Sequence, residues 1–166
     1  KDDSGRMKAL VRREYDISIG LDHPHIVNVF TFEEDSEVGP GIVMEYVDGR
    51  DLSDFLSEDP SMQMRRRVAD QILDAVGYLH RKGIIHNDLK PENIFISRKD
   101  NSVKLLDFGL SDNDAYYLAK NLGCTSEYAS PELLRKEKTD SRSDIYSLGI
   151  LLEMILEGRN SRISGK

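Results

Sequence analysis

An α+β fold in two unequal parts is what this sequence predicts, and three observations predict it. Two β-branched, alternating stretches lie near the N-terminus, on either side of an acidic Gly/Pro turn. Residues 61–82 carry Met64, Val68, Ile72, Ala75, Val76 and Leu79 at steps of three and four, the period of a long amphipathic helix. Residues 143–157, "SDIYSLGILLEMILE", are apolar almost all round, the pattern of a helix buried in a larger body.

Taken in order, Met7, Leu10, Val11, Tyr15 and Ile19 predict a first amphipathic helix over 7–19. Pro24 in "DHPH" ends it, because proline lacks a donor and its predecessor avoids helical torsions. "IVNVFTF" (26–32) and "IVMEYV" (42–47) predict two strands, and the turn "EEDSEVGPG" predicts that they pair as a hairpin. "DGRDLSDFL" predicts a turn and a short helix, and Gly83 stands where a C-terminal cap of the helix over 61–82 belongs. "IIH", "IFI" and "VKLLDF" predict short strands, while 110–130 is polar and has no period. The strand-rich first part and the mainly helical second part join near residues 47–50.

At 166 residues the chain is long enough for one ordinary domain. Its 39% hydrophobic and 32% charged residues fit a globular chain rather than a disordered one. A net charge of −7 argues against nucleic acid or an anionic membrane as the main partner. No apolar run approaches the roughly 20 residues that span a bilayer, and "KDDSGRMKAL" lacks the apolar core of a signal peptide. The single Cys124 forms no internal disulfide and fits a reducing, cytoplasmic compartment.

The chemistry concentrates in "IIHNDLKPENIFI" (84–96) and "LLDFGL" (105–110). Asp88, Lys90 and Asn93 share one tight loop, and Asp107 follows nineteen residues after Asp88. A carboxylate and an amide oxygen suit Mg2+, which prefers hard oxygen ligands. A second carboxylate can accept a hydroxyl proton, and an ammonium can neutralise a phosphoryl group in flight. Gly109 frees the backbone for a turn after Asp107. Paired surface charges would explain each of these residues singly, but not their order and spacing together.

With these motifs the chain resembles the eukaryotic-type (Hanks-type) protein kinases, of the serine/threonine kind. "HNDLKPENIF" is similar to the family's catalytic loop in every polar position but one, and "DFG" (107–109) follows at the family's distance. "TSEYASPE" (125–132) resembles the end of an activation segment, and "SDIYSLG" (143–149) the start of the central helix of the large lobe. "DHPHIV" resembles the turn after the regulatory helix, Glu14 falls where that helix carries its Glu, and "VMEYVDG" resembles the hinge. The resemblance implies a two-lobed fold, with residues 1–47 a remnant of the small N-terminal lobe and 48–166 the first part of the helical C-terminal lobe.

It also implies roles. Asp88 would be the catalytic base and Lys90 the contact to the γ-phosphate. Asn93 and Asp107 would hold the magnesium ions. Glu45 to Val47 would offer backbone groups to the adenine of ATP, with Met44 as gatekeeper and Phe95 beneath the ring, although both also fit plain core packing. Glu14 belongs to the same nucleotide site. His86 reads as a packed, hydrogen-bonded histidine, and Phe108 and Gly109 follow the metal-binding Asp107. Thr125 would lie beside the base, Glu132 would close the segment, and Asp144 would brace the catalytic loop from below. The partner implied is a protein with a Ser or Thr hydroxyl, transfer being favoured by "LKPEN"; the alternative is a nucleotide-binding pseudokinase scaffold. His23, His25 and His80 are too scattered for a metal site.

Three departures from the family stand out. Asn87 replaces the Arg that pairs with a phosphorylated activation segment, making this a non-RD sequence whose site needs no such phosphate to become ordered. Ser18, one turn after Glu14, replaces an apolar residue that packs toward Phe108. No glycine-rich loop and no convincing strand lysine for Glu14 occur among the 166 residues, nor an Arg for Glu132, so the expectation is a stretch that starts and stops in mid-domain.

Overall fold

In the computed structural model, which describes residues 3–34, 39–108 and 127–157, the first helix α1 spans Asp3–Ser18 and packs on a two-stranded antiparallel hairpin. Its strands are β1 (Val29–Glu33) and β2 (Gly41–Met44). Both are shorter than the alternation predicts. β1 starts at Val29 because Ile26 and Val27 turn away to bond strand β5 (Val103–Leu105): Ile26 bridges Leu105 in parallel, and the Val27 N–H donates to the Leu105 carbonyl at 3.0 Å. The register slips between Val29 and Thr31, and Phe30 is left exposed.

A second sheet has the order β3-β4-β5, all antiparallel, with β3 at Gly49–Asp51 and β4 at Ile94–Ser97. The sequence pattern makes 48–51 a turn; the backbone makes it a strand because Gly49 lies against β4. A Cβ at Gly49 would stand 2.7 Å from the Ile96 carbonyl oxygen, so only glycine allows this approach. Two other expected strands are corrected. Residues 84–86 form no strand, since the Ile84 N–H bonds the Leu79 carbonyl and the His86 N–H the Asp144 carboxylate, and "VKLLDF" is a strand only to Leu105.

The helical part begins with α2 (Leu52–Ser57), capped by the Asp51 carboxylate, which accepts from the Asp54 N–H at 2.8 Å. α3 (Met62–Arg81) starts on Ser61, whose hydroxyl accepts from the Met64 N–H. It ends in a Schellman motif: Gly83, at φ +75°, donates to the His80 carbonyl, and the Ile84 N–H reaches back to Leu79, both at 3.0 Å. This stop aims the chain into 84–93. α4 (Pro131–Leu134) opens on the Ser130 cap with Pro131 in its first turn, and α5 spans Ser141–Glu157.

α3 and α5 bury their facing stripes together: Val68, Ile72, Ala75, Val76 and Leu79 with Leu148, Leu151 and Ile155, joined by Leu52, Phe55, Ile94, Ile96 and Leu105. Arg65 is buried at the end of this seam, where its guanidinium donates to the carbonyls of Pro60 and Ile155 and to the Asp59 carboxylate. α5 is not buried all round as its composition suggests. Ile145, Tyr146 and Leu156 are exposed, so apolar composition here overstates burial. Among the described residues, no helix is long and apolar enough to cross a membrane.

Candidate active site

Asp144, on the first turn of α5 and fully buried, accepts three hydrogen bonds. The His86 N–H donates to Oδ2 at 2.9 Å, the Asn87 N–H to Oδ1 at 2.9 Å, and the His80 Nε2 to Oδ2 at 2.7 Å. Two consecutive amides gripped by one buried carboxylate fix the backbone just before Asp88. Asp144, expected from the sequence beneath this loop, meets it through these two amides. The sequence reading missed His80, because a partner 64 residues away leaves no local signal.

Asn87 sits at φ +61°, in the left-handed region where Asn is among the few side chains tolerated, and it is buried. The loop therefore reverses at 87 and presents Asp88 on its far side. The Asp88 N–H donates to the His86 Nδ1 at 3.3 Å, which leaves the proton on Nε2 to donate to the Leu106 carbonyl at 3.2 Å. The His86 ring is buried and lies 5.3 Å from that of buried Phe108.

The Asp88 carboxylate is gathered by its own loop. Oδ2 accepts from the Lys90 Nζ at 2.6 Å and from the Asn93 Nδ2 at 2.9 Å, and that Nδ2 also donates to the Asp88 carbonyl. A 3-10 turn, Pro91–Asn93, brings Asn93 back over Asp88. With both donations made from nitrogen, the Asn93 Oδ1 is the amide atom left to face a cation. Asp107 stands next to it in the fold, because the Leu106 N–H donates to the Asn93 carbonyl at 2.9 Å. Asp107 is exposed and at φ +63°, a backbone state that stores strain in a non-glycine residue.

Across from Asp107 lies Glu14. Burial, then the Asp107 charge, push its pKa up to about 7, while a bond from the Phe108 amide pulls the other way. The oxygen donors on this side of the site are the Asp107 carboxylate and the Asn93 Oδ1, with the Glu14 carboxylate near Asp107. That donor set fits a hard divalent cation, the group the sequence reading assigns to Asn93 and Asp107. Ser18 is buried and donates its hydroxyl to the Glu14 carbonyl at 2.5 Å, so its polarity is absorbed within α1.

At the other edge the Glu45 N–H is taken by the Asn28 carbonyl at 2.8 Å. The sequence reading offers all backbone groups of 45–47 to a base; the Glu45 N–H is withdrawn from that set. Among the described residues the Glu45 carbonyl and the Val47 N–H and carbonyl have no backbone partner. Met44 is partly exposed, Val47 leans on the core, and Phe95 is half-buried on β4. Glu132, in α4, accepts from the Ser143 hydroxyl at 2.7 Å, which holds its carboxyl below the usual range. Gly109, Thr125 and Cys124 lie outside the described residues.

A loop built this way can be compared with known proteins, and the protein kinase domain family matches residues 1–162. The chain belongs to that family. It is 43% identical over 158 residues to the serine/threonine-protein kinase PknB of Mycolicibacterium smegmatis, covering 89% of this chain and 25% of that protein. It is 36% identical over 165 residues to the serine/threonine-protein kinase pkn3 of Myxococcus xanthus, covering 92% and 30%. The crystal structure of the Mycobacterium tuberculosis PknI kinase domain superposes with a TM-score of 0.70 at 25% identity, over 95% of this chain and 59% of that one. The chain therefore spans about a quarter of the length of the curated relatives it matches, and its α+β fold is that of a protein kinase.

Proposed function

We propose that the protein carrying this chain is an ATP- and Mg2+-dependent kinase that phosphorylates Ser or Thr hydroxyls of a protein substrate. The observation that carries the reading is the Asp88 carboxylate, held by Lys90 and Asn93 on a loop that Asp144 clamps from below. Held so, Asp88 orients the acceptor hydroxyl and takes its proton. Lys90, 2.6 Å from Asp88, needs only a side-chain rotation to meet a phosphoryl oxygen. Asn93 Oδ1 and Asp107 would hold the metal, which supplies charge neutralisation on the phosphates. The unpartnered carbonyl of Glu45 and the Val47 groups match the amino and ring nitrogens along one edge of adenine, with Phe95 as floor and Met44 behind. In this reading residues 1–47 serve as small lobe and 48–166 as large lobe.

Two tests bear on it. Asp88→Asn in the full-length protein abolishes transfer while leaving nucleotide affinity within about threefold; near-normal turnover by that variant refutes the role of Asp88. Asn87 is the second. Its buried, left-handed backbone is held by the Asp144 carboxylate through its own N–H, so phosphatase treatment leaves the rate of the full-length protein nearly unchanged. A large, reversible loss would overturn this. Peptide acceptors and nucleotide binding, assayed side by side, separate a working kinase from a binding scaffold.

A further inference from the structure

Lys104 is the one residue of β5 that reaches out of its own sheet to the segment 44–47. In the β4–β5 register it stands directly opposite Phe95, so the two side chains emerge on the same face. From there its Nζ donates to the Glu45 Oε1 at 2.6 Å and lies 3.4 Å from the Ile26 carbonyl. Glu45 is held twice more: its Oε1 accepts from the Asn28 N–H at 2.8 Å, and its own N–H donates to the Asn28 carbonyl at 2.8 Å. The pair is mostly screened from water, with side chains 17% and 25% exposed. Exposed ion pairs are usually worth little, but here the ammonium closes a ring of bonds around one residue.

We infer that Lys104 is a positioning residue for adenine: it fixes Glu45, and through it the backbone of 45–47, at a set height above Phe95. The inference rests on the reading of 45–47 and Phe95 as an adenine seat. Removing the ammonium leaves Glu45 with one side-chain donor and lets its peptide rotate, which misaligns the carbonyl that a 6-amino group would meet. Guanine carries an oxygen at that position, so discrimination between the two bases reads the orientation directly, and a purely structural lysine would not move it.

The experiment uses the full-length protein with ATP and GTP, reading Kd by calorimetry and KM and kcat with a peptide acceptor. Lys104→Met should raise the Kd and KM for ATP roughly five- to tenfold, shrink the preference over GTP by a similar factor, and change kcat less than about twofold. Lys104→Arg should restore both to within about threefold, and Lys104→Met in a Glu45→Gln background should add nothing further. If Lys104→Met melts early, Lys104→Gln at a temperature where it is folded replaces it. Unchanged ATP affinity and base preference overturn the inference, as do effects of Lys104 and Glu45 that simply add. A wild-type protein that binds ATP without transferring phosphate sinks the kinase reading alone, with the Kd comparison still deciding Lys104. One that binds no adenine nucleotide sinks both.

Discussion

Asp144 is fully buried and Glu14 half-buried, and their surroundings differ. Asp144 has three donors, two of them backbone amides, and each of its oxygens is used. Glu14 has one amide from Phe108 and faces another carboxylate, Asp107. The first is finished structure, where the charge is satisfied within the chain and sets a loop. The second is partly buried beside a like charge, and both conditions favour its protonated form. The contrast separates residues that build the site from those that meet a ligand there.

The comparison can be broken at the Asp144 end first. Asp144→Ala leaves the buried amides of His86 and Asn87 and the His80 ring without their acceptor, and should cost about 3–5 kcal/mol in denaturant melts. A cost below about 1 kcal/mol would mean that the loop finds other partners. A middle-sized effect tests the backbone on which the site rests. Gly49→Ala drives a Cβ into the Ile96 carbonyl and should destabilise by about 1–3 kcal/mol, seen as a lower melting temperature. Wild-type stability in that variant would show that β3 can move off β4.

The smallest effect belongs to Glu14 and depends on pH. Its folded pKa, about 7, is above the ordinary value of 4.5, so between these the folded state holds the extra proton. Stability from this group is therefore full below about pH 4.5 and is lost as pH rises through 7. Glu14→Gln in the 166-residue chain should accordingly raise stability by about 1–2 kcal/mol at pH 8 and by almost nothing at pH 4. Equal effects at both pH values would place the carboxylate in a less perturbed setting, and the contrast with Asp144 would weaken.

Much of this was legible beforehand, for reasons that differ by region. The order of Asp88, Lys90, Asn93 and Asp107 is local chemistry on two short loops, so sequence spacing alone exposes it. Helix α3 was legible because its period and its Gly83 stop agree, while its Ser61 cap came only with the structure. What was not legible depends on distant partners. Nothing near His80 announces Asp144, and nothing near Lys104 announces Glu45. Residues 84–86 have the composition of a strand, but the Ile84 amide is claimed by the end of α3 and the His86 amide by Asp144 of α5. Ile26 and Val27 belong by pattern to β1, yet they bond β5 across the fold. On α5, apolar composition alone does not say which face is covered.

Arg65 has a consequence of another kind. The last turn of a helix ordinarily frays at almost no cost, because its carbonyls simply turn to water. On α5 the Ile155 carbonyl is held by a guanidinium that is itself buried and shared with Pro60 and Asp59. Loosening that turn strips a desolvated cation of an acceptor, and loosening the 58–61 loop does the same from the other side. A helix end and a surface loop, two places where order is usually lost piecemeal, are thereby made to open together or not at all.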